Sequence, residues 1–236
     1  MNSCRWCFTD RYGGLSSGAF ASLNLSFHVG DNDSDVEANR AQVKEFFNRN
    51  LLVTSRQTHG DGVYLVEDIP EGDLEVDGFD ALITDIPEIV LMVQLADCQG
   101  VLLHDPVRRV VAAVHCGWRG SVVGIIGRTV GVIRERYGSD PANIRARISP
   151  SLGPCCAEFV NFRKELPEQW QRYQRRPGYF DFWEISRQQL AACGVRKEYI
   201  ETAGICTSCS GDYFSYRRAW READGCTGRH GAAISL

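Results

Sequence analysis

The feature that most constrains this chain is a succession of short, almost uninterrupted apolar segments between residues 63 and 115. VYLVE, ALIT, IVLMVQLA, GVLLHD and RVVAAVH follow one another with Gly, Pro and Asp between them, the punctuation of sheet strands. IVLMVQLA (89–96) and RVVAAVH (109–115) are apolar at both alternating positions. Strands of that kind must be covered on both faces, as at the centre of a layered fold. The longest run includes Gln94 and stops at Asp97, far short of the roughly 20 residues that cross a bilayer.

Around these strands the period becomes helical. Ser34-Asp35-Val36-Glu37 reads as a capping box, and Val36, Arg40, Val43 and Phe47 follow at helical spacing, predicting a helix over about 35–47. After Trp118, a stripe of Val123, Ile126, Val130, Ile133 and Tyr137 ends at Gly138. Gly120, Gly124, Gly127 and Gly131 lie near one face of that helix. At about 1 kcal/mol each relative to alanine, they imply either a close approach to the sheet or a weak helix. A strand at 144–148, a Gly/Pro/Cys turn at 153–156, a helix over about 182–193 ended by Gly194 and a strand at 199–206 follow. The remainder reads as a polar tail. With 236 residues, 44% of them hydrophobic, and neither linker nor internal repeat, residues 1–236 are expected to form one domain. The expected class is α+β, with layered mixed β-sheets and flanking helices.

The net charge of -4 is mild and the arginines are scattered, so nucleic-acid binding has no electrostatic basis and a small molecule is the expected partner. A membrane partner is not expected, and the chain is expected to be a monomer or weak homo-oligomer. The sequence MNSCRWCFTD lacks a basic region followed by an apolar run, so no secretory signal is read and a cytoplasmic location is expected. Ten cysteines in that compartment should be mostly reduced thiols. Metal binding, catalysis or burial must then explain them.

Three segments place a soft metal ligand at a strand end beside glycine or an acid: Gln57-Thr58-His59-Gly60, Leu95-Ala96-Asp97-Cys98 and His115-Cys116-Gly117-Trp118-Arg119-Gly120. Two imidazoles and a thiolate suit zinc, and three protein ligands leave the open position of a catalytic site. Spacing alone does not bring the three together, and each has an ordinary alternative, a buried thiol or a satisfied loop histidine. Arg119, with Arg40, Arg56, Arg217 and Arg218 behind it, is the candidate for holding phosphate, since the guanidinium fork matches that anion. Asp97 and Asp80 are candidate acids or partners for a metal-bound histidine. The CxxC pairs Cys4/Cys7 and Cys206/Cys209 have zinc-site spacing, with buried thiols as the alternative, and Cys155-Cys156 is read as shaping a turn.

QTHG, DALIT, LADCQGVLL, AVHCGWRG, ISPSLGPCC, CTSC and YFSYRR occur in this order, and together they resemble the YfiH/YlmD family. That family is known as purine nucleoside phosphorylase and formerly went by the name of polyphenol oxidase or laccase-domain family. The resemblance runs from about Phe8 to Gly228-Arg229 and implies a YfiH-like fold with a metal held by His59, Cys98 and His115. It further implies phosphorolysis of adenosine, inosine and S-methyl-5′-thioadenosine, with inorganic phosphate as co-substrate, some adenosine deamination, and zinc or copper as the metal. Gly100, Cys116 and Ala157 depart from the family pattern, which usually has proline, alanine and an aromatic there. None removes a ligand.

Two other enzyme classes use the same residues. A metal-independent cysteine hydrolase or amidase would take Cys98 as nucleophile and His115 or His59 as base, and an amidase role in cell-wall precursor editing is also associated with the family. A copper-dependent polyphenol oxidase would take the His and Cys donors, although five histidines are too few for a multicopper centre. A closed, non-catalytic site would require Cys116 or His104 as a fourth ligand.

Overall fold

Residues 4–236 are described by a computed structural model, and its frame follows from the apolar strands. In chain order the elements are β1 (Arg5–Phe8), α1 (Asp33–Phe47), β2 (Leu51–Arg56), β3 (Val63–Leu65), β4 (Leu74–Asp77), β5 (Ala81–Thr84) and β6 (Ile89–Leu95). Next come β7 (Gln99–Asp105), β8 (Val110–Cys116), α2 (Trp118–Val123), α3 (Ile125–Tyr137), β9 (Arg145–Ile148), α4 (Phe162–Glu165), β10 (Gln174–Arg176) and β11 (Tyr179–Phe180). The chain closes with α5 (Phe182–Ala192), β12 (Ile200–Thr202), α6 (Tyr216–Glu222) and β13 (His230–Ser235).

Two mixed sheets result. One has the order β1-β13-β6-β2-β4 and the other β12-β9-β7-β8-β5-β3, with β10-β11 as a small separate ribbon. The continuous apolarity of β6 and β8 is resolved by their alternation. Leu91 and Val93 of β6 meet Leu82, Leu102, Val111 and Ala113 of the facing sheet. On the opposite side of β6, Val90 and Met92 pack beneath Val43 and Phe47 of α1. In β8, Ala112, Val114 and Cys116 face the other way, against Ile126, Val130 and Ile133 of α3 and Leu190 of α5. The layers therefore run helix, sheet, sheet, helix, and the α+β class of mixed sheets with flanking helices is what the chain forms.

Several sequence expectations change in detail. Helix α1 begins two residues early, and its cap is the side chain of Asn32, which accepts from the Ser34 backbone N–H, in place of the expected Ser34 capping box. The helix after Trp118 is two helices, because Gly124 adopts φ +83 between them. Of the four glycines, Gly120 is where the backbone approaches closely: a Cβ there would lie 3.4 Å from the Gly60 carbonyl oxygen. Gly127 and Gly131 have room for a methyl group, so they only weaken the helix. The strand at 199–206 is confined to β12. The polar tail is incorrect for residues 230–235, which form β13, buried throughout and paired on both sides. Its small residues conceal it in the sequence: a Cβ at Gly231 would lie 2.9 Å from both Leu25 and Met92.

Candidate metal centre

The site forms where three strand ends converge. The segment after β2 carries His59, the tight link between β6 and β7 carries Cys98, and β8 delivers His115 on its inward-facing side. The ligand atoms of His59, Cys98 and His115 lie within 4.8 Å of one another, and the two imidazoles meet edge to face with centroids 4.8 Å apart. Gly117 seats them. A Cβ there would stand 3.0 Å from both the Cys98 Sγ and the His59 Cδ2. Cys116 and His104 are not part of the group, so among the described residues it has three members. Cys116 instead faces α2, where its thiol contacts the Ser121 hydroxyl at 3.2 Å, and burial pushes it up to about 12.

One carboxylate organises the cluster. Asp80 is fully buried at the start of β5. Its Oδ1 accepts from His115 Nδ1 at 2.7 Å and from the His59 backbone N–H at 2.9 Å. Its Oδ2 accepts from the Gly60 N–H at 2.8 Å and from the Thr58 N–H and hydroxyl, each at 3.1 Å. The bond to Nδ1 fixes the His115 tautomer and leaves Nε2 for a ligand. These bonds also hold His59 at φ +62, and Asp97 beside Cys98 is held at φ +87. Left-handed backbone costs a non-glycine residue about 1–3 kcal/mol and persists where its surroundings over-determine it.

The electrostatics of the cluster favour charged partners. Burial alone would raise the Cys98 thiol, but His115 and His59 outweigh it and bring it down to about 6. For His115 burial acts downward, and Cys98 with Asp80 lifts the imidazole to about 9. Asp80 is held at about 2, since the His115 imidazole and the Gly60 and Thr58 N–H groups overcome the cost of burial. A thiolate and two oriented imidazoles form a borderline-soft N/S donor set that fits zinc, or copper.

A cleft of about 850 Å³ opens beside the cluster, within the size range of small-molecule sites. Trp118, Phe159, Phe182, Tyr216 and Trp220 supply flat walls, and Arg56, Arg119, Arg217 and Arg229 line it. Arg119 lies over the Trp118 ring at 4.8 Å, and Arg217 donates to the Glu158 carbonyl at 3.0 Å. Two of the sequence candidates are committed elsewhere. Arg40 donates to Glu75 at 2.7 Å and to the Leu25 carbonyl at 2.9 Å. Arg218 clasps the Thr207, Ser210 and Tyr213 carbonyls. Asp97 lines the cleft, but its oxygens accept from the Thr207 hydroxyl at 2.7 Å and the Arg217 N–H at 2.5 Å, so it positions other groups. Sequence reasoning missed Arg229 and the aromatic walls. The signal for Arg229 was its place at the end of the matched motifs, obscured because the segment read as a tail.

Residues 5–236 match the family described as multi-copper polyphenol oxidoreductase laccase. The chain belongs to that family. Among its relatives is "Purine nucleoside phosphorylase YlmD" of Geobacillus stearothermophilus, 34% identical over 230 residues, covering 89% of this chain and 83% of the relative. "Purine nucleoside phosphorylase YfiH" of Escherichia coli is 32% identical, covering 98% and 93%. The crystal structure of Bacillus licheniformis hypothetical protein YfiH superposes with a TM-score of 0.88 at 33% identity, covering all of this chain and 93% of that one. Gly100, where β7 leaves the cluster, has no room for a side chain. A Cβ at 100 would lie 2.5 Å from that of Ala232, and the Gly100 N–H donates to the Ser149 hydroxyl at 2.8 Å.

Proposed function

We propose that this chain is a metal-dependent purine nucleoside phosphorylase, releasing free base and ribose 1-phosphate from adenosine, inosine and S-methyl-5′-thioadenosine, with adenosine deamination as a side activity. The observation that carries this reading is the joining, in one cleft, of the His59–Cys98–His115 group with aromatic walls and arginines. The names of relatives above 30% identity support it. The ion is zinc, with copper as the other metal these donors accept. When bound it supplies Lewis acidity and lowers the pKa of water to about 7, which suits deamination.

The protein's own groups account for the rest. Trp118, Phe159 and Phe182 offer faces on which a purine stacks, with edge and offset contacts worth about 0.5–1.5 kcal/mol beyond burial. Arg119, Arg56, Arg217 and Arg229 hold phosphate toward the anomeric carbon, where positive charge builds as the glycosidic bond breaks. Asp97 keeps Cys98 and the Arg217 backbone in register.

A second reading has its own observation. Cys98, His115 and Asp80 form a nucleophile, base and orienting acid, the set that a metal-independent cysteine hydrolase or amidase uses. Purified protein assayed for bound metal and for adenine release from adenosine, with and without phosphate, decides between the two. Phosphate-dependent release that is abolished by chelation and by His115→Ala is expected. Release indifferent to phosphate, or preserved in His115→Ala, would sink the phosphorylase reading, and hydrolysis surviving chelation would support the cysteine enzyme.

A further inference from the structure

Four of the remaining cysteines form a second cluster, at the surface. Cys155 and Cys156 sit in the turn after β9, and Cys206 and Cys209 in the turn after β12. Their Sγ atoms all lie within 4.8 Å of one another. The Cys209 Sγ is 3.6 Å from that of Cys155 and 3.4 Å from that of Cys156. Four sulfurs each about 2.3 Å from one tetrahedral ion lie about 3.8 Å apart, whereas a disulfide requires about 2.05 Å. We propose that Cys155, Cys156, Cys206 and Cys209 form a four-thiolate structural zinc site, separate from the His59–Cys98–His115 group.

The backbone around the cluster is built for this. The Cys209 N–H donates to the Cys206 carbonyl at 3.2 Å and the Ser210 N–H to the same oxygen at 2.9 Å, so the Cys-x-x-Cys segment is a tight turn with both thiols on one side. The Cys156 N–H donates to the Gly153 carbonyl at 2.9 Å, which folds the adjacent cysteines toward the same point. The Gly153 N–H donates to the Cys206 Sγ at 3.3 Å, a contact that favours the thiolate a metal ligand must be. A Cβ at Gly153 would stand 2.9 Å from the Cys206 Cβ, so the two turns touch only because residue 153 has no side chain.

The sequence expectation paired the Cys206/Cys209 spacing with Cys4/Cys7. The fold joins Cys206/Cys209 to Cys155-Cys156 instead, because β12 lies beside β9 in parallel and delivers both turns to the same sheet end. The closed set of four ligands marks a structural site, in contrast to the three-ligand cluster at the cleft. The two turns also reach that cleft. The Leu152 N–H donates to the Asp97 carbonyl at 2.8 Å and the Thr207 hydroxyl to the Asp97 carboxylate at 2.7 Å. A zinc ion here would clip together the two segments that hold Asp97.

The test is metal analysis on zinc-reconstituted, tag-free protein. Cys206→Ser/Cys209→Ser should lose one zinc per chain relative to wild type, while His115→Ala keeps that zinc. Titration of His115→Ala, which lacks the cleft site, with an organomercurial should release one zinc as these four thiols react, which covers the case in which the double variant does not fold. Cobalt-reconstituted His115→Ala should show the thiolate-to-cobalt charge-transfer bands of a tetrahedral four-sulfur site. An unchanged zinc count in a folded double variant, or mercurial titration releasing no zinc, overturns the proposal. So does a disulfide among these four residues in the reconstituted protein.

Discussion

Asp80→Asn replaces one oxygen of a fully buried carboxylate that accepts five donors by an NH2 group, and each orientation of the amide fails differently. With NH2 at the Oδ2 position, the Thr58 and Gly60 N–H groups face a donor, while the Thr58 hydroxyl can rotate to accept. Two orphaned buried donors at about 1–3 kcal/mol each amount to about 2–6 kcal/mol. With NH2 at the Oδ1 position, the His59 N–H is orphaned and His115 must turn its Nδ1 lone pair toward the amide. The proton then sits on Nε2, where ligation is lost. The first orientation loosens the loop that carries His59 and the second removes the His115 ligand atom, so metal affinity should fall about 10–100-fold or more, together with the melting temperature. Chelator competition gives the metal affinity and calorimetry the melting temperature. Metal affinity within twofold of wild type would refute the role given to Asp80, even if stability dropped.

Gly117→Ala is backbone-compatible at φ -76, but places a methyl 3.0 Å from two ligands, so metal binding should weaken by at least about tenfold with little change in melting temperature. In metal-free protein Cys98 contributes stability above its ordinary 9.0 that is lost as pH falls through about 6, and His115 contributes stability below 6.5 that is lost as pH rises through about 9. Between about 6.5 and 9 the gain from one group offsets the loss from the other, so the pair should leave the thermal stability of chelated protein nearly level across that range, while Cys98 alkylation should show a midpoint near 6; a midpoint near 9 would disprove the pairing. Glu75 is opposed by burial but held at about 2 by Arg40 and His28, so its contribution is present above 4.5 and lost as pH falls through about 2. Glu75→Gln should flatten acid denaturation across that range. Arg40→Ala should lower the melting temperature without changing the KM for phosphate, whereas Arg119→Ala should raise that KM; the reverse pattern would remove Arg119 from the phosphate site.

What was legible in the sequence is what period and chemistry encode locally. The both-faced apolarity of residues 89–95 and 110–116 located the central strands, and the soft ligands at their ends marked the site. Asp80 was visible as a partner for a histidine because it precedes ALIT. Arg229 and the aromatic walls were not, since they reach the cleft from the starts of α2 and α5, from α6 and from the loops before α4 and β13, a convergence that no local pattern records. Arg40 misled for the opposite reason. It occupies an apolar-stripe position of α1, and burial there demanded a partner, Glu75, that lies 35 residues away.

The strand β13 lies between β1 and β6, so residues 5–8 and 230–235 are hydrogen-bonded neighbours. Such pairing brings the far ends of the chain together late, and contacts of long sequence separation slow folding. Until those residues arrive, β6 and β1 each present an unpaired apolar edge, a template for association with other chains. A chain shortened by residues 230–235 should therefore fail first by aggregation, before any question of catalysis arises.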